Sequence, residues 1–443
     1  MFWRRCRFSP RRQVVAILSL TILMAPSKAE TPSKNPQPAA VSSKGVAQIA
    51  ELPDVVAAIG WFRSHSEQLL QMQMELAQIP PPPFGEAERS KWLRERFRQL
   101  GLQNVQVDEI GNVLAVRPGL NPRAGYIALT AHIDTVFPAG TRVQIQRSGE
   151  QLHGPGVSDN AAGVTAVLAM AAAMNASHIQ TQSPILFIGN VGEEGEGDLR
   201  GMRNLFSDPH WRDSIACTLV LDGAGADTVI SEALGSKRFL VTVRGPGGHS
   251  WSDFGTPNPI MVLAHALEIF RRTPIPSNPK STFNVGVISG GTSVNSIPES
   301  VSMRVDIRSV VTEQVDRLER ALRQALDLAV SEESHRLDGN SRPVLTYDMK
   351  QIGSRPAARL SPNSHMLAAL RAVDSFLGNK ARTQRASTDA NIPMSLGREA
   401  FAIGAGGTGG GAHTVHEWYD AKGRELGLKR ILLTTLMLAE VKE

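Results

Sequence analysis

The sequence predicts a two-domain α/β protein: a mixed sheet flanked by helices, interrupted by an inserted ferredoxin-like α+β unit. Two observations carry this. Between Tyr126 and Gly225, strand-like apolar runs alternate with a helical one. From about Ser236 the order becomes β-α-β-β-α-β, and the first pattern resumes near residue 360. The length points the same way, since 443 residues exceed one ordinary core.

Residues 1–29 read as a signal peptide. A basic start leads into "VVAILSLTILMA", the length of an h-region and too short to span a bilayer. "SKA" then offers small residues around a cleavage point after Ala29. The Arg11-Arg12 pair is compatible with twin-arginine export, and an uncleaved anchor is the alternative. The expected location is therefore exported, periplasmic or secreted. These residues hold six basic groups and no acid, so their removal takes the formal charge from +5 to −1. The mature chain has no charge basis for binding nucleic acid or an anionic membrane. Cys6 leaves with the signal and Cys217 stays alone, which excludes an internal disulfide and a cysteine metal site.

Residues 30–48 are rich in Pro, Ser and Ala and read as a linker. The first part of the larger domain is expected over 49–235. Residues 60–78 and 86–101 look helical, with Pro80 to Pro83 between them. "YIALTAHID", "PILFIGNV" and "CTLVLDGAG" read as strands, and "AAGVTAVLAMAAAM" as an Ala-rich helix. The inserted unit is expected over 236–350. Its strands are "KRFLVTVRG", "TFNVGVISG", "VSMRVDIRS" and "PVLTYDMKQI". Its amphipathic helices are "PIMVLAHALEIFRR" and "EQVDRLERALRQALDLAV". The larger domain is completed over 351–443 by "FAIGAGG" and a helix from about Lys422.

Polar residues gather at the strand ends, where sites form in such folds. "AHIDT" gives His132 and Asp134, on the same face of a strand. "GVSDNAAG" gives Asp159 in the turn opening the Ala-rich helix, where it also suits an N-cap. "NVGEEGEGD" places Glu193 and Glu194 side by side after an apolar strand. Adjacent buried acids repel and require a cation. "LDG" gives Asp222, and "GGGAHTVHE" gives His413, His416 and Glu417. Any one of these has a structural explanation. Together, two His and several carboxylates make a mixed N/O site suited to two zinc-like ions. In such a site one carboxylate bridges the ions, one Glu of the pair binds metal, and its neighbour serves as base.

At these residues the sequence resembles the co-catalytic zinc amidohydrolases. That family includes glutamate carboxypeptidase, peptidase T, acetylornithine deacetylase, succinyl-diaminopimelate desuccinylase and aminoacylase. The resemblance rests on "TAHIDTVFPAG", "GPGVSDNAAG", "NVGEEGEGDLRG", "RGPGGHS", "GGTSVNSIP" and "GGGAH", and covers roughly residues 60–440. It implies a catalytic α/β domain and an inserted lid that makes a dimer contact. It implies two divalent ions, zinc foremost and cobalt or manganese as alternatives. His132 and Asp222 would bind the first ion, Asp159 would bridge, and Glu194 and His413 would hold the second. His416 is the nearby competitor of His413. Glu193 would be the general base, and Asp134 would orient His132. Where many relatives have a second acid after the bridging Asp, this chain has Asn160. In the lid, His249 would reach a partner's site and stabilise the oxyanion. Asn295 and Arg308 would touch the substrate, an Arg suiting a carboxylate. A surface ion pair is the other reading of Arg308.

The expected activity is that of an exported metallopeptidase acting on short peptides. An N-acyl amino acid deacylase with the same chemistry is the alternative. Export and the "GEEGEGDLRG" variant favour the peptidase within the resemblance. A non-catalytic binding protein on this scaffold would be expected to lose the base or a ligand, and this chain keeps them all.

Overall fold

The computed structural model describes residues 45–335 and 345–442. The signal-peptide expectation, Cys6 and the linker up to residue 44 lie outside them.

A nine-stranded mixed sheet forms the larger domain. Its middle holds four mutually parallel strands, in the spatial order Ile185–Asn190, Tyr126–His132, Ile215–Leu221 and Glu399–Ile403. Every residue of Ile185–Asn190 and of Ile215–Leu221 is buried, as continuous apolar runs in a sheet covered on both faces require. Because the four run the same way, their C-terminal ends open on one edge. His132 pairs with Asn190 and Leu221 with Ile403 in that register. Antiparallel strands Val113–Arg117 and Gln103–Val107 extend one side. Thr228–Ala233, Ala358–Arg359 and Arg382–Ala386 complete the other.

The Ala-rich helix spans Ala161–Ala176 and is buried on nearly all sides. Its small side chains let the sheet and the helices Pro53–Ser64 and Ser66–Ala77 approach from different directions. The first helices begin earlier than the sequence suggested. Val46–Glu51 is already helical, so the linker expectation fails over 46–48. Val46 and Ile49 are buried in the core, and their burial supplies the reason.

The inserted unit has the expected β-α-β-β-α-β order. Its antiparallel sheet runs Ser281–Gly290, Ser300–Ser309, Gly235–Arg244, Thr346–Arg355. Helices Pro259–Arg271 and Thr312–His335 pack on it around a separate core that includes Phe239, Val241, Val243, Leu318 and Leu322. The last strand continues to Arg355, beyond the boundary at 350. That extension delivers Arg355 to the larger domain.

Candidate metal centre

His132, the acid pair and Asp222 stand at or just beyond the C-terminal ends of central strands, while Asp159 lies in the turn before the Ala-rich helix and His413 in a loop after Gly410. His132 closes its strand, and Asp222 follows Leu221. Glu193 and Glu194 follow Asn190 through a turn at Gly192, whose φ of +65° suits glycine. Three groups of potential ligand atoms result: His132, Asp159 and Asp222; Asp159, Glu194 and His413; and His132, Glu193 and Glu194. Within each group the atoms lie within 4.8 Å of one another.

Asp159 joins the first two groups. Its Oδ1 lies 3.1 Å from His132 Nε2 and its Oδ2 3.2 Å from His413 Nε2. Asp222 Oδ1 is 3.7 Å from His132 Nε2, and Glu194 Oε1 is 3.0 Å from His413 Nε2. His413 has φ +67°, an uncommon conformation for a residue with a Cβ. His416 belongs to none of these groups.

Asp159 is not the helix cap that its position suggested. Asn160 takes that role, its Oδ1 accepting from Gly163 N at 3.0 Å. The same oxygen accepts from Gly223 N, and Asn160 Nδ2 donates to Leu221 O. The amide thus ties the Asp159 turn to the Asp222 loop and leaves the Asp159 carboxylate free.

Asp134 is fully buried behind His132. Its carboxylate accepts the backbone N–H of Glu193 at 3.0 Å and of Glu194 at 2.8 Å. His132 Nδ1 lies 3.2 Å from Asp134 O and 3.6 Å from Asp134 Oδ1, so Nε2 faces the cluster. Burial works against a charged His132, but Asp134, Asp159 and Asp222 overcome it and raise its pKa well above the usual value. Hydrogen bonds that His413 donates to Asp159 and then to Glu194 bring its pKa up to about 10. Burial drives the Glu193 carboxyl upward, opposed by Arg355 and reinforced by Glu194.

These residues fit a pair of divalent ions. The donor set is imidazole and carboxylate, which suits zinc and similar ions. Asp159 Oδ1 is buried and makes no well-aligned hydrogen bond among the described residues, with only the His132 ring beside it at 3.1 Å, which leaves room for a cation as partner.

Sequence reasoning missed several contributors. The cation facing Glu193 is Arg355, from the inserted unit, whose Nη1 donates to Glu193 Oε1 at 3.0 Å. Arg238 donates to Gly195 O at 2.7 Å, and Arg304 pairs with Glu196 at 2.8 Å. Three adjacent strands of the inserted sheet thus each place an arginine on the loop bearing the acid pair. Buried Asp389 accepts from Asn190 Nδ2 at 2.6 Å, and burial raises it to about 7. Glu417, singled out in the sequence but given no role there, accepts from the turn that carries Asp159. The "RP" and "TDA" segments around Arg355 and Asp389 carried no spacing signal of their own.

The lid candidates stand apart from this cluster. His249 pairs with Ser296, and Ser250 N donates to Asn295 O, so His249 and Asn295 are neighbours. His249 Nδ1 accepts from Trp251 N at 3.1 Å and Ser252 N at 3.3 Å, which puts a neutral ring's proton on Nε2. Arg308 Nε pairs with Asp306 Oδ2 at 2.6 Å, the ion pair that the other reading anticipated.

Comparison with known proteins gives a consistent result. The model of peptidase family M20/M25/M40 matches residues 128–436. The uncharacterised protein YqjE of Bacillus subtilis (strain 168) is 24% identical over 397 residues, covering 86% of this chain and 98% of that protein. A tripeptidase of Staphylococcus aureus superposes with a TM-score of 0.70 at 22% identity, covering 84% of this chain and 98% of its own. The YXEP protein of Bacillus subtilis, described as a dinuclear metal-binding peptidase, gives 0.63 at 15% identity, covering 85% and 99%.

Proposed function

The chain belongs to peptidase family M20/M25/M40, a family of amide-bond hydrolases, and on that premise we propose an exported, zinc-dependent metallopeptidase of short peptides. One observation carries the reading. The two Asp159 oxygens face two different histidines, so a single carboxylate is shared by two ligand groups. His132, Asp159 and Asp222 would hold one ion, and Asp159, Glu194 and His413 the other. A bound pair supplies Lewis acidity at the substrate carbonyl and makes water more acidic.

Glu193 stands outside both groups that share Asp159. Its Oε receives a proton as the water oxygen bonds to the carbonyl carbon. It returns that proton to the amide nitrogen as the C–N bond breaks. Burial keeps the Glu193 pKa up, which suits a base that must give the proton back. Asp134 fixes the His132 ring and both acid-pair N–H groups, so ligand and base share one support. His249 offers Nε2–H to the developing oxyanion. Asn295 and Arg308 are assigned to the substrate's backbone and carboxylate. His249 acts from a second copy, so the reading includes a homodimer through the inserted unit.

The test is turnover by the zinc-loaded mature protein on dipeptides, tripeptides and N-acetyl amino acids. A higher kcat/KM for the peptides is expected. Preference for the N-acyl compounds would assign a deacylase, and turnover of neither would overturn both. Mass spectrometry of the exported protein tests the address: a start at or near Glu30 is expected. An intact N-terminus would overturn cleavage.

A further inference from the structure

Glu417 lies four residues after His413 and is neither a metal ligand nor the base. Its side chain is fully buried. Oε1 accepts the backbone N–H of Ser158 and of Asp159, both at 2.7 Å, and Oε2 accepts that of Gly156 at 2.9 Å. Its carbonyl accepts from Gly154 N at 2.8 Å. One residue therefore ties the 154–159 turn to the 413–417 loop at four points. Those segments deliver Asp159 and His413, whose side chains meet at 3.2 Å.

The turn is built for that contact. Gly156 has φ +76°, and a Cβ there would meet Thr135 Cγ2 at 2.9 Å. Arg89 Nη2 lies against the same turn, 3.8 Å from that Cβ position, and has no hydrogen-bond partner among the described residues. The Arg89 side chain is anchored by Ile79 O at 2.8 Å and Ile133 O at 3.0 Å. Ile133 is the residue between His132 and Asp134. A buried positive charge thus stands behind both non-ligand carboxylates, Asp134 and Glu417. Burial draws Arg89 down to about 9, and those two acids resist it.

The two acids are organised alike. Asp134 sits behind His132 and gathers the N–H groups of the loop bearing Glu193 and Glu194. Glu417 follows His413 by four residues and gathers those of the turn bearing Asp159. We propose that Glu417 is a positioning residue of the metal centre, which fixes the Asp159 carboxylate against His413 by holding the 156–159 backbone. The charge matters, because a carboxylate serves all three N–H groups, whereas an amide turns an NH2 toward one of them.

The inference rests on the two-metal reading, and its test separates the two. Wild type, Glu417→Ala and Glu417→Gln are compared for zinc affinity against a competing chelator, and for the visible spectrum of the cobalt(II) forms. Both are measured well below each variant's melting temperature. In folded Glu417→Ala, ion affinity is expected to fall by about 10- to 100-fold with an altered cobalt spectrum. Glu417→Gln should fall between it and wild type. A purely structural Glu417 would lower the melting temperature and leave affinity and spectrum unchanged, which overturns the proposal. If the Ala variant fails to fold, wild-type affinity in folded Glu417→Gln overturns it equally. Failure of both to fold assigns Glu417 to the fold and also overturns it. A wild-type protein that takes up no ion pair refutes the two-metal reading itself.

Discussion

Arg355 Nη1 lies 3.0 Å from Glu193 Oε1, and both side chains are buried. The arginine closes the last strand of the inserted sheet, and the glutamate leaves the central sheet. Burial raises the Glu193 pKa and Arg355 restrains it. Replacing Arg355 by Met is expected to raise it further. The base acts deprotonated, so the acid limb of the kcat/KM profile should move to higher pH. Leaving a buried partner unpaired should also cost about 3–5 kcal/mol of stability. A pH–rate profile and a melting curve measure the two effects. An unmoved acid limb would separate Arg355 from the base.

Glu193→Gln should reduce turnover by about 100- to 10,000-fold, the usual contribution of a general base. Both ions should stay, because Glu193 lies outside the two groups that share Asp159. Elemental analysis beside the turnover number decides it. Loss of an ion together with activity would exchange the roles of Glu193 and Glu194.

Metal uptake by the metal-free protein near neutral pH should release protons. His132 is held well above its usual pKa by three carboxylates, and His413 stands at about 10. His413 is therefore protonated at pH 7.5 without metal, and the upward shift of His132 favours its protonated form. Metal ligation needs neutral imidazole, so about one proton should leave from His413, with any further release coming from His132. Calorimetry in buffers of different ionisation enthalpy counts them. Proton-neutral uptake would exclude these histidines as ligands.

The mature protein should be a dimer in which His249 acts across the subunit boundary. Trp251 and Phe254, beside His249, are about 85% and 84% exposed, an apolar tip. The outer strand Ser281–Gly290 leaves one edge unpaired among the described residues, and a two-fold contact is the commonest oligomer. Inactive Glu193→Gln and His249→Ala are mixed under conditions that let subunits exchange. A mixed dimer then has one site with both groups intact, and activity should return. Confirmed exchange without activity would place His249 in its own subunit's site or outside the chemistry.

Much of the candidate site was legible in the sequence because it follows local rules. A buried parallel strand must read as an apolar run, so the polar residue ending it stands out. His132, Glu193, Glu194 and Asp222 were visible for that reason. The inserted unit was visible in the change of rhythm near Ser236, since alternation along each strand reports one buried face. Helix boundaries were less legible. Val46–Glu51 owes its burial to core partners far along the chain, including the helices His365–Leu377 and Arg424–Ala439.

What only the tertiary structure decided is which charges face one another. Arg355 meets Glu193 across 162 positions, and Glu417 reaches the Asp159 turn across 258. Arg89 stands behind Asp134 and Glu417 because its guanidinium is held by the carbonyls of Ile79 and Ile133. Asn160, one residue from the expected cap, took the helix because its amide also bridges to the Asp222 loop. None of these pairings has a period or a spacing. They depend on strand order and register, and those are fixed by long-range pairing and burial across the whole chain.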